Sequence, residues 1–96
     1  MTFNGERNIL DVNGRITRLT PLLGYLLQFF IDNPNRVILR SEIFSAVWKS
    51  ENIEDMRTLD VHIQWLRSAI EKNPKRPKTI VTEHGLGYRL NTESLF

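Results

Sequence analysis

The sequence predicts a small α+β domain in which short antiparallel strands come first, three helices follow, and a β-hairpin closes the chain. Three observations carry that prediction. Asn13-Gly14 lies between Ile9–Val12 and Arg15–Leu19, and both residues tolerate the positive φ of a two-residue hairpin turn. Leu59, Ile63, Leu66 and Ile70 recur at i, i+4, i+7 and i+11. At roughly 100° per residue this is one narrow helical stripe that faces a core. The β-branched run Thr79-Ile80-Val81-Thr82, the turn Gly85-Leu86-Gly87 and the returning Tyr88-Arg89-Leu90 read as two joined strands.

The elements follow in order. Thr2 to Leu19 makes a small sheet with one wet face, so the strands occupy residues 1–19. Thr20 is a good N-cap and Pro21 suits the first position of helix one. Leu22, Leu23, Leu26, Leu27, Phe29, Phe30 and Ile31 make this helix apolar on most sides and place it centrally. Gly24 inside it costs up to ~1 kcal/mol relative to Ala, a cost that a close contact with another element would explain. Asp32-Asn33-Pro34-Asn35 ends it. Arg36–Leu39 is a short extended piece. Helix two runs from about Arg40 to Trp48, with Ile43, Phe44, Val47 and Trp48 on its apolar face. Lys49 to Asp55 is a polar, acidic loop, and Asp55 is the expected N-cap of helix three, which runs from Met56 to about Lys72. Asn73–Lys78 breaks it with two prolines and three basic residues. The helices thus fill about 20–72 and the hairpin about 79–90.

Composition narrows the function classes. The 96 residues, 41% hydrophobic and 25% charged, make one domain over 1–96. Cysteine is absent, which excludes disulfides, zinc-thiolate sites and thiol nucleophiles and fits a reducing cytosol. Two histidines without cysteine form no metal-ligand cluster. Gly85-Leu86-Gly87 lacks the third glycine of a nucleotide loop and opens no helix. No serine sits in a nucleophile elbow. The chain therefore reads as a non-enzyme with no catalytic residue, no metal and no cofactor. Met1 to Leu10 is too polar for a signal peptide, and no apolar run approaches the ~20 residues of a membrane span. The net charge is +2, unevenly spread. Residues 1–56 hold six Lys/Arg against seven Asp/Glu, and residues 57–96 hold seven against four. Such asymmetry suits a basic face turned to a polyanion, although a solvated surface with chance imbalance explains four charges equally well.

Two helices followed by a third helix and a hairpin beside it describe a winged helix-turn-helix. In that architecture the third helix enters the major groove of DNA, and the hairpin, or wing, reaches the backbone or minor groove. The outward side of helix three carries Arg57, Val61, Gln64, Trp65 and Ser68, with Thr58 at its edge. Folding does not explain a tryptophan and a valine there. Bases and phosphates would, through thymine methyls, base edges and phosphate charge, while the helix alone reads equally well as a surface helix with one stray aromatic. Arg67 lies roughly 80° from the stripe, flanking that surface, so its guanidinium could reach a phosphate. Trp65 has three readings: contact with bases or sugars, packing against the wing, or contact with another protein. Trp48 reads as core, as a phosphate contact, or both. A rival class is a winged helix used mainly for protein–protein interaction, which Gln64-Trp65 keeps open.

Several short pieces are similar to one family. They are Leu19-Thr20-Pro21, Ala46-Val47-Trp48, Arg57-Thr58-Leu59-Asp60-Val61-His62-Ile63, Leu66-Arg67, and Ile80-Val81-Thr82 followed by Gly85-Leu86-Gly87-Tyr88-Arg89-Leu90. In this order the chain resembles the DNA-binding effector domain of OmpR/PhoB-type response regulators over roughly Leu19 to Leu90. The resemblance implies an N-terminal four-stranded sheet, three helices and a C-terminal hairpin. It implies that Arg57 holds a phosphate, that Thr58 and Val61 face bases, and that His62, Arg67 and the Trp48 indole grip the backbone. The implied wing tip is Glu83-His84-Gly85. The loop Lys49, Ser50, Glu51, Asn52, Ile53, Glu54, Asp55 matches one that touches RNA polymerase in several members. Four positions depart from the pattern. Gln64-Trp65 stands where many members have two basic residues, and His84 where the wing often has Arg. Leu23 replaces a Glu that would complete a capping box with Thr20, and Gly24 replaces a bulky apolar residue. The implied setting is transcription regulation in a bacterial-type cytoplasm within a two-component phosphorelay. The resemblance implies promoter duplex DNA as the partner, and a receiver domain in the full-length chain unless this is a stand-alone DNA-binding protein. The isolated domain is expected to be a monomer that pairs on DNA, where it neutralises ~4–6 phosphates.

Overall fold

Asn13 (φ 52°) and Gly14 (φ 87°) both take the left-handed conformation in the computed structural model, which describes residues 1–49 and 56–95. They close the expected hairpin between β2 (Ile9–Val12) and β3 (Arg15–Arg18), with Val12 opposite Arg15. β1 (Thr2–Asn4) pairs antiparallel on the other edge of β2. This sheet has three strands, not the four implied by the family resemblance. Between Thr2 and Arg18, two turns and three strands of three or four residues use up the chain.

Helix α1 (Pro21–Asp32) begins as its sequence requires, with Thr20 Oγ1 accepting from the Leu23 N–H at 3.3 Å. The Thr20 half of the capping box therefore survives the loss of its acidic partner. Leu23, Leu26, Leu27 and Phe30 are buried. Gly24 is buried too, and a Cβ there would collide with the Asn8 side chain of the β1–β2 turn. This is the close contact expected of a glycine in mid-helix. Asn33 ends the helix by donating its backbone N–H to the Phe30 carbonyl.

The extended piece after α1 contains β4 (Ile38–Leu39), which leads directly into α2 (Arg40–Trp48). Lys49 stops α2 in the left-handed conformation, φ 55°. Helix α3 spans Arg57–Ile70, slightly shorter at each end than expected, and has Met56 at its cap position without a side-chain cap bond. The expected cap, Asp55, lies outside the described residues. The wing is β5 (Ile80–Glu83) and β6 (Gly87–Leu90). β4 joins it, so the second sheet has the order β4-β6-β5. Gly87 belongs to β6 and not to the turn; a Cβ there would strike the Ile38 carbonyl where β4 crosses it. A short 3-10 turn, Thr92–Leu95, follows.

One core joins these layers. Leu10 from the first sheet, Leu26 and Phe30 from α1, Ile43 from α2, Leu59, Ile63 and Leu66 from α3, and Ile80 and Leu90 from the wing are almost wholly buried. Each such side chain contributes ~1.5–3 kcal/mol of burial. The molecule measures 37 × 27 × 22 Å.

Candidate nucleic-acid interface

The apolar stripe decides which way α3 turns. Leu59, Ile63 and Leu66 are fully buried and Ile70 nearly so, which leaves the opposite side to solvent. Arg57, Thr58, Val61, Gln64, Trp65 and Ser68 are all exposed there, Val61 by 45% and Trp65 by 55%. The wing turn, His84-Gly85-Leu86, is exposed as well, and Met56 shares a shallow cleft with it. The start of α3 and the tip of the wing therefore lie at one end of the molecule.

Aromatic side chains cross this surface from α2 to α3. Trp48, half-buried, stacks on Phe44 with ring centroids 5.3 Å apart. The His62 ring meets Trp48 edge-on at 5.2 Å and Trp65 at 4.9 Å. Trp48 thus has the packing role expected of a helix-end residue. Trp65 packs on its own helix. His62 Nδ1 lies 2.8 Å from the Thr58 carbonyl oxygen. A carbonyl only accepts, so Nδ1 carries the proton and neutral His62 offers Nε2 as an acceptor.

Arg67 does not stand where the sequence placed it. It is only 5% exposed; its Nε donates to the Ile80 carbonyl at 2.9 Å and its Nη2 to Thr82 Oγ1 at 2.7 Å. Its guanidinium carbon lies 5.6 Å from the Tyr88 ring centroid. The wing covers that flank of α3 and makes Arg67 a strut between helix and hairpin. The helical wheel gave its angle to the stripe but not which flank the hairpin would cover. Burial lowers the guanidinium from its usual value.

Two further polar groups hold this frame, and the sequence reading singled out neither. Asp60 accepts from Arg40 Nε of α2 at 3.2 Å and from the Tyr88 hydroxyl of β6 at 2.8 Å, tying three elements at one carboxylate. Burial first, and then the bond to Asp60, push the Tyr88 phenol up to about 12. Glu71, 3% exposed, accepts the backbone N–H groups of Lys78, Thr79 and Ile80 at 2.7–3.1 Å. An acid just past a helix end is a weak signal, because its partners come from a loop seven to nine residues on. Leu86, 56% exposed on the wing turn, also passed unmarked.

Of the loop expected from the family resemblance to touch polymerase only Lys49 is described; Ser50, Glu51, Asn52, Ile53, Glu54 and Asp55 lie outside the described residues. Among the described residues no three acidic, His or Cys side chains are placed to hold a metal, and no helix is long and apolar enough to cross a membrane.

An outward-facing third helix beside a three-stranded wing, both braced on one core, is a winged helix-turn-helix. Its family follows from the comparisons with known proteins. The model described as "Transcriptional regulatory protein, C terminal" matches residues 14–90. The chain is 42% identical over 86 residues to the sensory transduction protein RegX3 of Mycolicibacterium smegmatis, covering 88% of the chain and 37% of RegX3. The DNA-binding domain of CadC from E. coli superimposes with a TM-score of 0.76 at 32% identity, covering 90% of this chain and 80% of that one. The response regulator DrrB of Thermotoga maritima, an OmpR/PhoB homologue, gives 0.72 at 29% identity, covering 81% and 35%. The chain belongs to the OmpR/PhoB-type C-terminal DNA-binding domains of transcriptional regulators, a family of transcription factors and not of enzymes. It spans little more than a third of the length of the curated relatives it matches, 37% in the case of RegX3.

Proposed function

We propose that this domain binds promoter duplex DNA with sequence preference, laying the exposed face of α3 in the major groove and the wing turn on the adjacent backbone or minor groove. The observation that carries this reading is the solvent-facing row Arg57, Thr58, Val61, Gln64 and Trp65 on a helix whose other side is wholly buried. Arg57 pairs with phosphate at the entry of the helix. Thr58, Val61, Gln64 and Trp65 meet base edges and thymine methyls. The Trp48 indole N–H serves the backbone. His62 donates to a phosphate from Nε2 only as the imidazolium, since Nδ1–H is held by Thr58. His84 is the wing's basic group, weaker than an arginine at neutral pH. Arg67 has no place in this contact set.

The setting we propose is a two-component response regulator in a bacterial-type cytoplasm, with a receiver domain elsewhere in the full-length protein and RNA polymerase as a second partner at the Lys49–Asp55 loop. The experiment is a titration of the domain on promoter fragments at two salt concentrations. Sequence-preferring binding that weakens with salt is expected; no binding at low salt would favour the protein-interaction alternative.

A further inference from the structure

The basic residues of the C-terminal part do not gather on the face of α3. Arg67 is buried and Arg89 is paired with Glu83. Lys72, Arg76 and Lys78 lie at the other end of α3, where they and Arg15 of the β2–β3 hairpin line a cleft of about 960 Å³. All four are exposed, and none forms an ion pair among the described residues. Met1 and Val12, both part-exposed, supply apolar wall. The one carboxylate in the lining, Glu71, is wrapped by three backbone N–H groups.

The cleft is rigidly built. Arg15 Nη2 donates to the Ala69 carbonyl at 2.8 Å, which fixes the arginine and covers one of the open carbonyls at the helix end. The Lys72–Lys78 loop is tied by Arg76 N–H to the Asn73 carbonyl at 2.9 Å and by Lys78 N–H to Glu71 at 2.9 Å. One cation, Arg15, is thus fixed by its side chain, and the loop backbone that carries Lys72, Arg76 and Lys78 is tied down beside it. The wing turn lies by the first turn of α3 and this cleft beyond its last; the face proposed for DNA ends at Trp65, five residues or roughly 7–8 Å of helix before Ile70. A duplex seated on the Arg57–Trp65 face and the wing ends short of the cleft.

We infer that this cleft is a protein-docking site for an acidic segment of a partner, several Asp or Glu with an apolar anchor, and that it stays accessible while the domain holds DNA. Mixed cationic and apolar lining favours a peptide over nucleic acid, whose phosphates offer no aliphatic group to Met1 and Val12. The site is independent of the groove-facing surface.

The test titrates a synthetic peptide of alternating Glu and Leu into the domain, free and in complex with duplex, following backbone amide shifts. Shifts centred on Arg15, Lys72, Arg76 and Lys78 are expected in both states. Lys72→Glu/Arg76→Glu/Lys78→Glu should weaken the peptide about tenfold or more, since each exposed pair is worth a few-fold. Duplex affinity and its salt slope should stay unchanged. Lys72→Gln/Arg76→Gln/Lys78→Gln gives the same direction with less charge change, should the reversed variant fold poorly. Arg57→Glu should do the converse. Peptide shifts centred on α3's outer face, peptide displaced by duplex, or duplex binding lost in the glutamine variant would each overturn the inference. So would tighter competition by inorganic triphosphate, which would assign the cleft to a phosphorylated small ligand.

Discussion

Trp65 and Arg67 stand two residues apart, and the fold gives them opposite tasks. The indole is 55% exposed and uncharged, so Trp65→Ala should leave the salt slope of DNA binding nearly unchanged while altering preference among sites. Salt titrations on preferred and scrambled duplexes check this; unchanged affinity and preference would remove Trp65 from DNA reading. Arg67→Ala should instead destabilise the domain by about 2–3 kcal/mol, because the Ile80 carbonyl and Thr82 hydroxyl lose a charged donor in a buried place. Denaturant unfolding measures the loss, and an unaltered midpoint would contradict the strut. Tyr88 adds a pH dependence. An ordinary tyrosine ionises near 10, and in the fold this one is pushed up to about 12. Folding thus favours the neutral phenol. Its contribution is complete below pH about 10 and is lost as pH climbs towards 12, on the order of 2–3 kcal/mol in all. Tyr88→Phe should lose stability less steeply than the parent across that window; parallel curves would refute the assignment.

At the scale of elements, the contacts between turn and helix are set by what side chains leave out. Gly24→Ala gains up to about 1 kcal/mol of helix propensity. Its new methyl group, however, would collide with the Asn8 side chain, so a net loss of about 1–2 kcal/mol is expected. Asn8 has φ 54°, which glycine adopts freely, so Asn8→Gly in the same chain should recover most of the loss. Additive effects of the two substitutions would show that they do not meet. α3 and the wing are joined three times over, by Arg67, by Asp60 with Tyr88, and by Glu71. α3 and the hairpin therefore behave as one piece.

At the scale of the whole molecule, charge and area determine how the domain binds. Arg67 is buried, and Lys72, Arg76 and Lys78 lie at the far cleft. The end proposed to face DNA therefore offers fewer cations than the four to six phosphate contacts expected from sequence. A single domain should show a salt slope of about −2 to −3, shallower than the about −4 to −5 those contacts require. Observing the steeper slope would bring the cleft cations into the DNA footprint. One helix and one wing bury only about 600–1,000 Å², typical of a single module. The isolated domain is expected to sediment as a monomer and to pair on a duplex with two half-sites; a tight dimer without DNA would contradict this.

Much of the fold was legible in the chain because its signals are local. Asn13-Gly14 fixes a turn through φ alone, Thr20-Pro21 opens a helix within one turn of backbone, and the Leu59–Ile70 stripe orients α3 without reference to any neighbour. The exposed row on α3 is the complement of that stripe, so it was legible too. What the sequence could not convey were relations between residues far apart. β4 became a wing strand by pairing with β6, Arg67 was claimed by Ile80 and Thr82, and Asp60 met Arg40 and Tyr88. The C-terminal cations divided between a strut, an ion pair and a distal cleft. Periodicity reports only the angle at which a side chain leaves its own element. Which element arrives to cover it is decided by packing, and packing exists only in the tertiary structure.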